Sequence, residues 1–300
     1  MKQAVMKVAI LLLLSPSVFA ANIVASIKPI QLIALEITQG VSEPDLLVSS
    51  NASPHDYALK PSDVKKARQA DLVIWFGPEL ESFLPKVLAG NEQTLQLSVS
   101  DNLSLKEFSA ESHKGHDHGG HASDSHETEN HDPHVWLGPI QAKQTAKLIA
   151  DKLAVIDADN SARYLSNYQL FADKLDLQVA RMRDELVPYK DNGFYVFHDG
   201  YSYFEDFFEL NKRGYFTLSP ERKPGAKTLI QIKKALNKGE AKCVFSEPQF
   251  KPSIVKSVTR GTNVYVGELD PLATGIEAKA DGYFAFLDDM TQRYIECLSN

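Results

Sequence analysis

The chain has 300 residues, of which 43% are hydrophobic and 24% charged, with a formal net charge of −7. That balance suits a globular protein, and its acidic excess argues against nucleic acid or an anionic membrane surface as a partner. Three hundred residues exceed what one ordinary core organises, so two lobes are expected.

The first twenty residues, MKQAVMKVAILLLLSPSVFA, read as a secretory signal peptide. Lys2 and Lys7 form its basic start, Val8 to Leu14 its apolar centre, and Val18-Phe19-Ala20 its small-x-small cleavage site. Removing it takes away two lysines and no acids, so the mature chain is more acidic still. No Cys lies near the cleavage site, so no lipid anchor is expected. No later run of eighteen apolar residues appears, so a soluble mature chain is expected. In an exported protein the two cysteines, Cys243 and Cys297, fit one disulfide.

After the signal, short apolar runs alternate with helical patterns. NIVASI (22–27) reads as a strand and leads into an amphipathic stretch closed by Gly40. PDLLVSS (44–50) reads as a strand. KPSDVKKARQA starts a helix with Pro61 in its first turn and Ser62 or Asp63 as cap. DLVIWFG (71–77) is a strand, ELESFLPKVLAG helical, and QTLQLS a short strand. PIQAKQTAKLIADKLAVID (139–157) resumes a helix.

Residues 158–187 form one long linking helix. Leu165, Tyr168, Ala172, Leu175, Val179, Met182 and Leu186 recur at steps of three and four, with no Gly or Pro before Pro188. Such a helix joining two halves is a stiff strut that limits hinge motion. The second half, 188–300, repeats the alternation. GFYVFHD, RGYFTLSP, AKCVFSEP and TNVYVGELD are its strands, and helical segments lie between them and close the chain. The expected fold is therefore α/β: two lobes of parallel sheet flanked by helices, 21–157 and 188–300, with a ligand site between them.

Seven of the nine histidines fall in HKGHDHGGHASDSHETENHDPHVW (113–136). Residues 107–131 lack the apolar side chains a packed core needs and read as a mobile loop. It carries His113, His116, His118, His121, His126 and His131. Imidazoles tethered beside a tighter site would raise the local metal concentration, which is an accessory capture role. His134 differs, because Pro133, Val135, Trp136 and Leu137 around it suit an ordered, packed segment.

Outside that run stand only His55 and His198, each following an expected strand. Asp270 ends another strand. Ligands in open parallel sheets bind beyond the carboxyl ends of strands. His55 and His134 from one half, with His198 and Asp270 from the other, form a candidate metal site between lobes. Asp56, Asp132 and Asp199 adjoin the three histidines, and ligating imidazoles need partners that fix their tautomer. Sequence alone leaves open whether those carboxylates reach the rings.

These stretches resemble the motifs of a known family: the zinc-specific, ZnuA-type periplasmic substrate-binding subunits of metal ABC transporters. SPHDYALKPSD resembles the family's first-ligand motif, DPHVWLGP its second, FHDGYSYFE its third and GELDPLA its carboxylate motif. CVFSEPQF resembles a stretch common in the zinc members. The resemblance runs from about residue 22 to the C-terminus. It implies that His55, His134 and His198 ligate Zn2+ as cargo, that the protein works in the periplasm as a monomer, and that its partner is a membrane permease. The manganese-type members carry Glu where this chain has His198, and three imidazoles favour zinc. Some zinc members carry Glu just before the first His. Pro54 stands there, so the fourth position falls to Asp270 or water.

Two other readings compete. Three His with an open position also describe a zinc hydrolase, although no HExxH and no G-x-S-x-G is present. A zinc store or surface adhesin is the other, weakened by the two-lobe pattern and the missing anchor Cys.

Overall fold

A computed structural model describes residues 21–107 and 131–300. The signal peptide and His113, His116, His118, His121 and His126 lie outside the described residues.

Two four-stranded parallel sheets form the frame. The first contains β1 (Ile23–Ala25), β2 (Asp45–Leu46), β3 (Leu72–Trp75) and β4 (Thr94–Gln96), in the order β2-β1-β3-β4. The second contains β5 (Phe194–His198), β6 (Lys212–Thr217), β7 (Cys243–Ser246) and β8 (Tyr265–Glu268), in the order β6-β5-β7-β8. Strands covered by helices on both faces must be apolar along their whole length. Accordingly β3, Leu-Val-Ile-Trp, and all five residues of β5 are buried.

The helices of the first half are α1 (Lys28–Thr38), α2 (Pro61–Gln69), α3 (Pro85–Leu88) and α4 (Pro139–Ile156). Each has a proline in its first turn, where the missing N–H costs nothing. At α2 the cap position falls to Lys60 rather than Ser62 or Asp63, and Asp63, in the first turn, reaches back so that its carboxylate accepts the Lys60 N–H at 2.9 Å. The helix expected over ELESFLPKVLAG shrinks to the four residues of α3. Pro85 cannot continue a preceding helix, so only the turn after it forms. The strand expected over 44–50 likewise shrinks to β2, an edge strand.

The long helix is α5 (Ser161–Leu186), 26 residues, or roughly 39 Å at 1.5 Å per residue. Its buried face runs through Tyr164, Phe171, Leu175, Met182 and Leu186. The expected start of that face at Leu165 is off by one residue, for Leu165 is exposed. Tyr164 wins the buried position because its hydroxyl reaches the Asp157 carboxylate at 2.7 Å while its ring packs inward.

The helix is bolted to both halves. Asn167 Nδ2 donates to the carbonyls of Ile37 (2.8 Å) and Gln39 (3.0 Å), covering carbonyls left open at the end of α1. Gln178 Nε2 donates to the Phe284 carbonyl and the Asp288 carboxylate, both at 2.7 Å. These two belong to α9 (Gly282–Leu298), which follows α6 (Ser202–Phe207), α7 (Ala226–Asn237) and α8 (Ser253–Thr259). The largest apolar core runs unbroken from Ile23 and Ile74 of the first sheet, through Leu175 and Met182, to Phe194 and Tyr294 of the second half. A shared core of this kind resists hinge opening, because parting the lobes would expose apolar surface.

Cys243, the first residue of β7, is joined to Cys297 near the end of α9, with Cα atoms 5.6 Å apart. Among the described residues no helix is long and apolar enough to cross a membrane.

Candidate metal centre

His198 is the last residue of β5, so its ring leaves the carboxyl edge of the second sheet. His134 stands just before a single 3₁₀ turn, Val135–Leu137, that leads into α4. Burial of Val135, Trp136 and Leu137 fixes that turn and aims His134 toward the gap between the sheets. His55 lies in the loop between β2 and α2, further from its strand than the sequence suggests. One nitrogen from each of the three rings lies within 4.8 Å of the others.

The closest approach is between His134 Nε2 and His198 Nε2, 3.2 Å apart. Two nitrogens on one tetrahedral zinc, each at ~2.0–2.1 Å, stand ~3.3 Å from each other. Gly200 permits the convergence. A Cβ there would collide with His198 Nε2 and stand 3.0 Å from His134 Nε2.

The opposite ring nitrogens explain why both Nε2 atoms face inward. His134 Nδ1 lies 2.7 Å from Asp132 Oδ1, and His198 Nδ1 lies 2.6 Å from Glu247 Oε1. Each carboxylate accepts a hydrogen bond from Nδ1–H, which fixes the tautomer that leaves the Nε2 lone pair free to ligate. Burial opposes ionisation of Asp132, but hydrogen bonds from His134 and the Ser202 hydroxyl, with the charge of His134, outweigh it and lower its pKa. Burial would depress His198. The charge and hydrogen bond of Glu247 outweigh that, with help from Asp132 and Asp199, and raise its pKa above the usual 6.5. Among the described residues His55 has no such partner. Burial, then repulsion from the other two rings, holds its pKa well below 6.5.

Of the three aspartates beside the histidines, Asp132 reaches its ring. Asp199 turns away to Lys212, whose Nζ is 2.7 Å from both Asp199 and the buried Glu205. Asp56 is exposed. The partner of His198 is Glu247, which sequence proximity could not reveal. Its signal was the SEP of CVFSEPQF, since Glu247 follows β7 directly and β7 pairs with β5.

Asp270 stands two residues beyond β8 and is 7% exposed, but it is not part of the three-histidine group. Its Oδ1 accepts from Leu272 N–H (3.1 Å) and Gln249 Nε2 (2.8 Å), and its Oδ2 from Thr274 N–H. His131 lies at the end of the undescribed stretch, where it pairs with Glu107 in an antiparallel bridge. The two ends of that stretch therefore meet.

A family model described as ZnuA, zinc-uptake complex component A, periplasmic, matches residues 23–297. The chain belongs to this family. The high-affinity zinc uptake system protein ZnuA of Yersinia pestis is 39% identical over 310 residues, spanning 99% of this chain and 98% of that one. Its namesake in Haemophilus ducreyi is 40% identical over 290 residues, spanning 93% and 94%. A crystal structure of ZnuA shares the fold, with a TM-score of 0.77 at 24% identity over 93% of this chain and all of that one.

In this member of the zinc-uptake component A family, Glu247 is the clearest test of the ring partners. Glu247→Ala is expected to weaken zinc binding by about 10- to 100-fold while leaving the fold intact, the usual cost of losing a carboxylate behind a ligating histidine. The same change should lower the pKa of His198, because the charge that raises it is gone. A zinc titration with proton NMR of the metal-free His198 ring reads both effects.

Proposed function

We propose that the chain is a periplasmic zinc-capture protein that binds Zn2+ through His55, His134 and His198 and passes it to the permease of an ABC transporter. The observation that carries the reading is the convergence of three imidazole nitrogens within 4.8 Å, two of them backed by buried carboxylates. Three neutral nitrogens suit zinc better than the oxygen-rich sets that hold manganese, magnesium or calcium. The fourth position is assigned to water, since both oxygens of Asp270 are engaged in its own turn and by Gln249.

The site is built to hold an ion rather than to process a molecule. The cavity against the three rings measures about 20 Å³. That is room for about one water-sized species, whereas organic ligands occupy pockets of roughly 300 Å³ or more. Beside the histidines its walls are apolar at Pro54, Trp136, Phe250, Pro271 and Leu272 and polar at Ser53, Glu247 and Gln249. The apolar part of the wall limits solvent access to the ion and the one water of its fourth position.

The histidines of 113–131 are assigned the accessory role. Their stretch leaves and re-enters the fold at Lys106 and Asp132, where Asp132 N–H donates to the Lys106 carbonyl at 2.8 Å. Asp132 also holds His134, so the stretch is tethered two residues from a ligand of the tight site. Zinc titration by calorimetry tests the whole reading. Full-length mature protein should bind one tight zinc and additional weaker equivalents. Deleting residues 109–129 should remove the weak equivalents and change the tight constant by less than about threefold. Loss of the tight site in that deletion would refute the division of roles.

A further inference from the structure

The carboxylate of Asp270 is spent on something other than the three-histidine cluster. It folds the turn 270–274 around itself through Leu272 and Thr274 N–H, and it holds the Gln249 side-chain amide. Gln249 Nε2 also lies 3.2 Å from Thr274 Oγ1 and 3.4 Å from the Ser50 carbonyl. Thr274 Oγ1 in turn lies 3.0 Å from that same Ser50 carbonyl. One assignment of hydrogens satisfies the set. Gln249 donates one N–H to Asp270 and the other toward Thr274, and the Thr274 hydroxyl donates to Ser50.

Ser50 belongs to the first half and sits five residues before His55. Asp270, Thr274 and Gln249 belong to the second half. The turn makes further crossings. Lys28 Nζ, at the start of α1, donates to the Thr274 carbonyl at 3.1 Å. Trp136 Nε1, two residues beyond His134, donates to the Pro271 carbonyl at 2.8 Å. Gln249 follows two residues after Glu247, the partner of His198. One turn therefore touches the segments that carry two histidines and adjoins the segment that orients the third.

His55 is the ligand in need of such a tether. His134 and His198 are 3% and 2% exposed and have carboxylates behind their rings. His55 is only partly buried and sits on a loop that lacks regular structure from Leu47 to Lys60. Its own backbone N–H donates to Ser53 Oγ over a long 3.3 Å.

We infer that Asp270, Gln249 and Thr274 form a latch between the lobes that grips the Ser50 carbonyl and thereby positions His55 for the metal. Asp270 is thus a positioning residue and contributes no ligand atom. The latch rests on the zinc reading for its consequence but on hydrogen bonding alone for its existence. It makes the His55 loop the part of the site released first when the turn 270–274 is disturbed.

Thr274→Val and Gln249→Met keep side-chain size and remove the latch bonds. In metal-free protein, each should speed amide hydrogen exchange in residues 49–56 and leave β3, β5 and α5 at wild-type protection. With zinc loaded, each should release the metal to a chelator about tenfold faster, the lower end of the effect of losing a supporting bond. In a His55→Ala background the same changes should alter zinc affinity by less than twofold, since there is no His55 left to position. Unchanged exchange in 49–56 overturns the latch whatever the metal does. Equal effects of Thr274→Val in the wild-type and His55→Ala backgrounds also overturn it. Failure of wild-type protein to bind one tight zinc would instead strike the functional reading and leave the exchange result to decide the latch. Zinc absorption spectra of Asp270→Asn should keep the wild-type number of oxygen neighbours, and loss of one would make Asp270 a ligand and end the proposal.

Discussion

Replacing His134 or His198 by alanine is expected to weaken tight zinc binding on the order of a thousandfold, or ~4 kcal/mol at ~1.4 per tenfold. Each change removes a nitrogen from a group of three and also takes from a buried carboxylate, Asp132 or Glu247, the ring it had oriented. His55→Ala removes the ring that has no carboxylate behind it among the described residues, so its loss should be the smallest of the three. Calorimetry on the three variants checks the ranking, and undiminished tight binding in all three would remove the metal centre from these residues.

The same site carries a pH signature whose sign follows from the rings. Zinc needs a free lone pair, so each proton on a ligating nitrogen competes with it. In the metal-free protein the pKa of His198 is raised by Glu247, after burial has partly offset the effect. That ring therefore starts to hold a proton at a pH above 6.5, and zinc affinity should begin to fall there as pH drops. His55 is held well below 6.5 and adds nothing to the fall near neutrality. Binding at neutral pH should accordingly release protons, seen as a buffer-dependent heat. An affinity flat between about pH 8 and pH 6 would count against imidazole ligation.

Much of this was legible in the sequence, and the rest was hidden for reasons of range. The strands of the parallel sheets announce themselves as unbroken apolar runs because both faces are covered, as in β3 and β5. Their short edge partner β2 does not, for an edge strand is defined by pairing rather than by composition. The long helix was plain from its period, yet Tyr164 rather than Leu165 faces inward. A hydrophobicity pattern cannot foresee the Asp157 bond that rewards the tyrosine. His55, His134 and His198 were grouped as candidates from expected element ends, and the three rings do converge, although His55 stands mid-loop between β2 and α2. Their partners could not be chosen by nearness. Asp132 is two residues from its ring, but Glu247 is 49 residues from His198 and meets it because β5 and β7 are neighbours. Asp199, the nearer candidate, is drawn to Lys212 on β6. Asp270 was read from the sequence as a candidate fourth ligand, and its carboxylate stands outside the three-histidine group. What it binds depends on a turn only five residues long, whose closure no residue pattern specifies.

Removing the Cys243–Cys297 bridge is expected to destabilise the fold by about 4 kcal/mol with little effect on zinc. The bridge closes 54 residues, and the chain-entropy estimate for a loop of that length is about 4 kcal/mol. The helix it ties down, α9, places Tyr283, Phe286, Leu287, Met290 and Tyr294 in the core shared by both lobes. Without the bridge, the last segment of the chain must be held by that packing alone. Cys243 and Cys297 are both fully buried, so alanine at the two positions adds a small void without burying a new polar group. The melting temperature should fall on the order of 10 °C. The metal centre should be spared, because Cys243 begins β7 and Glu247 follows its other end, ~13 Å away at 3.3 Å per residue. Thermal and zinc titrations of the Cys243→Ala, Cys297→Ala pair separate the two outcomes. Two titratable thiols in the unreduced, denatured wild type would remove the bridge altogether. A zinc constant that falls in step with stability would mean that α9 and the metal site move as one unit, which the placement of the bridge at the far end of β7 argues against.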